Sequence, residues 1–256
     1  MNPRRHLLRG VVAIVGVMSL AGVAAGTANA STTTISSGTC ASGPIASGTY
    51  LDLTVTGPCS IPAGASITVR GTLRLKGSSS LNAVSLHTLR VHGNVEVGTR
   101  VVLGLGCSAD AGSQCNGKIG SDTIGGNIRA TSRANALIVH GITLFGNLNV
   151  QTGGAGVTCH PMPLPNFSDL EDSQVFGSVS IQGLTSCWLG VIRNRVNGNV
   201  LITNNRMADP DANEVVTNTI FGNLSCHNNR PAAQIGDSGG SLNTVTGSKL
   251  GECSTL

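Results

Sequence analysis

Along most of the chain the apolar residues fall into copies of one seven-residue pattern: apolar, any, Gly, Asn or a small polar residue, apolar, any, apolar. It reads VRGTLRL around Gly71, VHGNVEV around Gly93, IGGNIRA around Gly126, LFGNLNV around Gly146, VFGSVSI around Gly177, VNGNVLI around Gly198 and IFGNLSC around Gly222. Weaker copies stand at Gly57 (VTGPCSI) and Gly247 (VTGSKLG), the latter with Lys249 in an apolar slot, as expected at a chain end. Alternation on both sides of a two-residue corner predicts strands, because successive strand side chains point to opposite faces. Glycine suits the bend, and asparagine suits the left-handed backbone that such a corner is expected to need.

The glycines are spaced by 14, 22, 33, 20, 31, 21, 24 and 25 residues. A modal period of 20 to 25 residues with two or three strands and no helical period is one coil of a solenoid. The two longest intervals predict loop insertions, LGLGCSADAGSQCNGKIGSD and GGAGVTCHPMPLPNFSDLED. Coils stacked about 4.8 Å apart bring Asn94, Asn127, Asn147, Asn199 and Asn223 into a ladder of side-chain amides, with Thr72, Ser178 and Ser248 as short polar stand-ins. A second column, Asn194, Asn218 and Asn243, marks a second corner.

The fold expected is therefore all-β: a single-stranded parallel β-helix (β-solenoid) of about eight coils over residues 51–256, behind a cap segment at 31–50. The constellation resembles the right-handed parallel β-helix of the pectin-lyase-like proteins across roughly residues 50 to 250, and handedness is implied by that resemblance alone. The stretch NTIFGNLSCHNNRPAAQIGDSGGSLNTVTGSKLGEC is similar to the last coils of secreted actinobacterial β-helical proteins. That likeness implies fold and secretion and brings no activity.

Residues 1–30 read as a cleaved export signal: Arg4, Arg5 and Arg9, an apolar run from Val11 to about Ala25, and Ala28-Asn29-Ala30 before Ser31. A retained membrane anchor is the competing reading of the same run. Arg4-Arg5 is also faintly similar to a twin-arginine signal, so the export route stays open. Without these three arginines the chain carries 13 basic and 12 acidic residues, a net charge of about +1. That balance predicts no nucleic-acid partner, and no later segment is apolar enough to span a bilayer. An extracellular monomer is expected.

All eight cysteines, Cys40, Cys59, Cys107, Cys115, Cys159, Cys187, Cys226 and Cys253, follow the signal. An even count in an exported chain reads as disulfides, although eight thiols allow 105 connectivities. Pairing sequence neighbours is the simplest solution. Coil spacing suits a rung-to-rung bridge for Cys159 with Cys187 and for Cys226 with Cys253. A zinc-thiolate site is the rival reading, without any C-x-x-C pair to support it.

Candidate chemistry is sparse. GDSGG at Gly236–Gly240 is similar to the nucleophile loop of trypsin-like proteases, with Ser238 in the nucleophile place. The partner histidine motif is missing: His140 stands in IVHG and His160 in TCHP. Polysaccharide cleavage needs clustered carboxylates on one sheet. The outward positions read instead Ser60, Arg74, Glu96, Arg129, Asn149, Ser180, Leu201 and Ser225. Acids gather in two loops, Asp169, Glu171, Asp172 and Asp209, Asp211, Glu214. Asp209, Asp211 and Asn213 offer alternate oxygen ligands for calcium, without the central Gly and distal Glu of a full loop.

Phe145, Phe176 and Phe221 share an outward position that suits sugar or partner binding unless the insertion after Gly146 covers them. Trp188 is a further ligand-binding candidate, with packing on the Cys187 disulfide as the competing reading. No cofactor and no catalytic residue is assigned. The functional expectation is a non-catalytic surface, adhesion or carbohydrate-binding module acting on a polysaccharide or cell-envelope component. The alternative is a polysaccharide lyase or glycoside hydrolase with a loop-borne site, which an acidic cluster where the loops meet the sheet would favour. Ice binding would need a regular threonine array, and these columns are too mixed.

Overall fold

The structure, a computed structural model, describes residues 35–109, 115–159 and 167–256. Residues 1–34, where the export signal is expected, residues 110–114 and residues 160–166 with His160 lie outside the described residues. The described chain winds through three parallel sheets in a fixed order. The first sheet is 11-stranded and runs from Gly38–Cys40 to Lys249–Gly251, with Arg206–Met207 paired beside Val179–Ser186. The second is 8-stranded, Gly43–Pro44 to Glu214–Val216, and the third 9-stranded, Gly48–Tyr50 to Thr244–Val245. This is a parallel β-solenoid.

The heptads explain the register. In the first sheet Leu53, Leu73, Val95, Ile128, Leu148, Val179, Val200 and Leu224 pair one above another, and all are buried. A slip of one residue would turn this column to solvent, so the apolar alternation fixes the pairing. The column ends where Leu224 meets Lys249. The chain then closes the end with a short 3-10 turn, Glu252–Thr255, that buries Cys253 and Leu256.

Several details differ from expectation. The segment expected to cap the solenoid already carries three strands, and Gly38 to Tyr50 forms a coil in register with the next one. The stack accordingly holds more coils than the eight expected. The weak heptad at Gly57 belongs to another corner, because Val55 lies in the first sheet and Cys59 in the second. The ladder position of that coil is Asp52, whose Oδ1 accepts the Thr72 N–H at 2.6 Å.

The motif glycines and asparagines do not have left-handed backbone. Glycine is required there by close approach. A Cβ on Gly222 would lie 2.5 Å from both Asn199 Oδ1 and Gly198 O in the coil below. Left-handed residues sit at the other two corners, among them Arg100, Arg133, Arg193, Asn204 and Asn228.

Three corners, not two, carry ladders. At the third-to-first corner Asn94 Oδ1 accepts from Asn127 N and Nδ2 (2.8 and 3.2 Å), and Asn127 serves Asn147 likewise. The series continues through Ser178, Asn199, Asn223 and Ser248. At the second-to-third corner Asn194, Asn218 and Asn243 form a buried ladder. At the first-to-second corner Asn205 and Asn229 form another, terminated by the Glu252 carboxylate. Four disulfides join Cys40–Cys59, Cys107–Cys115, Cys159–Cys187 and Cys226–Cys253. This is the neighbour pairing, and it leaves no thiolate among these eight for zinc.

Candidate functional site

The two insertions flank the second sheet, whose strands carry Asp169, Glu171 and Glu214 together with Phe167 and Trp188. Strands Ala136–His140, Phe167–Glu171 and Trp188–Ile192 lie side by side there. Their pairing sets Asp169 opposite Ile138 and Gly190, and Glu171 opposite His140 and Ile192. His140 Nε2 approaches Asp169 Oδ1 to 3.0 Å. Arg193 donates from Nε to Asp172 Oδ1 (2.8 Å) and from one terminal nitrogen to Asp172 Oδ2 (3.0 Å) and Glu171 Oε2 (3.1 Å). Asp172 Oδ2 also accepts the Ala109 N–H at 2.7 Å. Burial raises the Asp172 pKa, but the hydrogen bonds and charge of Arg193 and the Ala109 N–H outweigh it, so the carboxyl is held below its ordinary range.

The acidic cluster expected of an enzyme is thus present at the loops, as an ion-paired and largely buried network. Glu214 is fully buried on the same face, opposite Gly190. Its carboxylate accepts the Ser238 N–H and hydroxyl and the Trp188 indole. Burial lifts its pKa above the usual range, against the pull of these donors and with a further push from Asp237. GDSGG is therefore a cover for Glu214, and Ser238 faces a carboxylate rather than a histidine. Trp188 lies over Gly190 and meets Phe167 edge-on at 5.9 Å.

The remaining candidates separate. Asp209 Oδ1 is engaged by the Asp211 N–H, while Asn213 is buried with its Nδ2 donating to Pro231 O. Phe145, Phe176 and Phe221 are exposed, because the insertion leaves at a different corner. Phe145 and Phe176 stack face to face (5.0 Å, 4°), and the Arg195 guanidinium lies 4.4 Å above Phe221. One face of each ring is thereby taken by a neighbour within the column.

Sequence reasoning missed the concave surface along the first sheet and its corner with the second. One groove of about 330 Å³ is lined by Arg74, Lys76, Glu96, Arg129, Thr131 and Ser132 among others. The next, about 550 Å³, begins at adjoining Thr99, Arg100 and Arg133 and runs past Asn135, Thr152 and Thr185. Arg206 pairs in register with Thr185, and Arg230 with Arg206, which carries the stripe further along the axis. Arg100, Arg129, Arg133, Arg206 and Arg230 are exposed. Among the described residues only Arg74 of this surface is ion-paired, to Asp52 and Glu96. The repeated NNR at 204–206 and 228–230 was the readable signal for the last two arginines. Protein-family models, curated proteins and solved structures were all compared with the chain, and none matches it.

Proposed function

We propose that the protein is exported and acts outside the cytoplasm as a rigid, non-catalytic module whose arginine-lined groove holds an anionic polysaccharide. One observation carries this reading: among the described residues five exposed arginines have no carboxylate partner, Arg100, Arg129 and Arg133 lining the grooves and Arg206 and Arg230 following in register, while the clustered acids lie covered on another sheet. Guanidinium groups spaced by the coil repeat suit a polymer with repeating oxyanions, since each forms forked hydrogen bonds to carboxylate, sulfate or phosphate. No aromatic residue lines either groove, so base stacking of a single-stranded nucleic acid has no platform there. The disulfides, and the absence of any long apolar helix among the described residues, are compatible with export.

The test is retention on insoluble acidic and neutral polysaccharides, with release of reducing or unsaturated ends followed in parallel. Retention on acidic polymers alone, weakened by salt and lost in an Arg100→Glu/Arg133→Glu double variant, is expected. Losing two charge-assisted contacts of about 1.5 kcal/mol each weakens binding roughly 100-fold. Product release would establish the enzyme instead, and retention indifferent to the double variant would remove the groove from the argument.

A further inference from the structure

The His140 network has a composition that its ion pairs do not explain. Among the described residues three carboxylates, Asp169, Glu171 and Asp172, share one guanidinium and one imidazole. The side chains of His140 and Asp169 are only 13% and 10% exposed, and those of Glu171 and Asp172 7% and 6%. Buried carboxylates need compensating charge. Arg193 supplies it to Asp172 through a full fork and to Glu171 with the nitrogen already shared, while Asp169 faces the His140 imidazole instead.

Asp169 Oδ1 is buried, accepts no hydrogen bond, and lies 3.0 Å from His140 Nε2. Ligand atoms of His140, Asp169 and Glu171 all lie within 4.8 Å of one another. Around a tetrahedral zinc, bonds of about 2.0–2.2 Å to nitrogen and oxygen put ligand atoms roughly 3.3 Å apart. The observed approach therefore needs little movement to close on a metal.

We propose that His140, Asp169 and Glu171 form a binding site for a divalent transition-metal ion, with zinc as the type. An imidazole nitrogen among the ligands selects against calcium and magnesium, which take oxygen. Strand pairing holds the three backbones in register, so the site is built into the sheet. Arg193 and Asp172 form its outer shell: Arg193 fixes one Glu171 oxygen and turns the other toward the ion. The site is separate from the groove, and neither reading depends on the other.

The experiment uses untagged, disulfide-bonded protein stripped with chelator and titrated with Zn2+ by calorimetry, with Ca2+ as comparator. About one Zn2+ per chain, at micromolar or tighter affinity, and no response to Ca2+ are expected. Bound Co2+ should give a visible spectrum without thiolate charge-transfer bands. His140→Gln and Asp169→Asn should each weaken Zn2+ binding by at least 10-fold while the far-ultraviolet spectrum of the folded sheet is kept. Should either variant fail to fold, protection of His140 from diethyl pyrocarbonate by Zn2+ in the native chain replaces it. No saturable Zn2+ binding, binding undiminished in the variants, or a His140 modification rate indifferent to Zn2+ overturns the proposal.

Discussion

Replacing Asn218 by alanine tests what holds the coils in register. Asn218 is 1% exposed and its side chain makes four hydrogen bonds. Oδ1 accepts from Asn194 N (2.9 Å) and Nδ2 (3.0 Å), and Nδ2 donates to Val191 O (2.7 Å) and Asn243 Oδ1 (2.8 Å). Each net contribution is about 1 kcal/mol, and the buried Asn194 N–H would lose its side-chain acceptor. The expected loss is therefore about 4 kcal/mol. Asn147 is the control. It occupies the exposed ladder, bonding to Asn127 and Ser178, and water can replace it there. Asn147→Ala should cost about 1 kcal/mol or less. Asn218→Asp keeps the volume and removes only the donors, so it separates hydrogen bonding from cavity formation. Equilibrium unfolding in guanidinium, disulfides intact and followed by circular dichroism, measures all three. Equal losses at positions 147 and 218, or a loss below about 1 kcal/mol at 218, would refute the claim that buried amides carry the register.

The two perturbed carboxyls predict opposite pH dependences. The folded pKa of Asp172 is lowered, so its contribution is complete above the unfolded value of about 4 and is lost as pH falls through the folded value. The stability gap between wild type and Asp172→Asn, read from unfolding at pH 6 and below, should narrow on acidification. Glu214 is raised, so its contribution is present at low pH and is lost as pH rises from about 4.3 through the folded value; Glu214→Gln should gain on wild type over that range. Ser238 should resist fluorophosphonate labelling, and Ser238→Ala should cost about 1–2 kcal/mol in the same unfolding assay, because the buried Glu214 loses a donor. Raising NaCl from low to physiological concentration should stabilise the protein, and less so in Arg206→Gln/Arg230→Gln, because these paired arginines repel by about 1 kcal/mol at one coil spacing in water.

How much of this could be read from the chain follows from which constraints act locally. The third-to-first corner was legible because two demands fall on adjacent residues: no Cβ at Gly146, Gly177 or Gly222, and an amide beside it. Apolar alternation around that pair then gave the strands. The same letters misled at Gly57, where apolar-x-Gly also fits the first-to-second corner and only the pairing of Asp52 with Thr72 decides. The ladder through Asn205 and Asn229 was repeated as openly as the others but ends on Glu252, so it offered no third asparagine to count. The site was harder. His140, Asp169 and Glu171 are 31 residues apart at the widest, and an insertion of unknown path intervenes. Only the strand register, His140 opposite Glu171, brings them together.

A net charge of about +1 over residues 31–256 concealed the arginine stripe to which we assign binding. A solenoid coil has three faces that need not share a composition, since each column is stabilised along the axis by its own neighbours above and below. Here Glu171 and Glu214 stand on the second sheet, one against Arg193 and the other under the GDSGG segment. The arginines of the first sheet and its corner were left in water, where like charges one coil apart cost little. Averaging the two sets yields about +1, although the exposed first-sheet surface is strongly basic. The burial of the carboxylates is thus what leaves the cationic surface unpaired: pairing of Asp169, Glu171 and Asp172 with first-sheet arginines would have given the same total and no basic stripe.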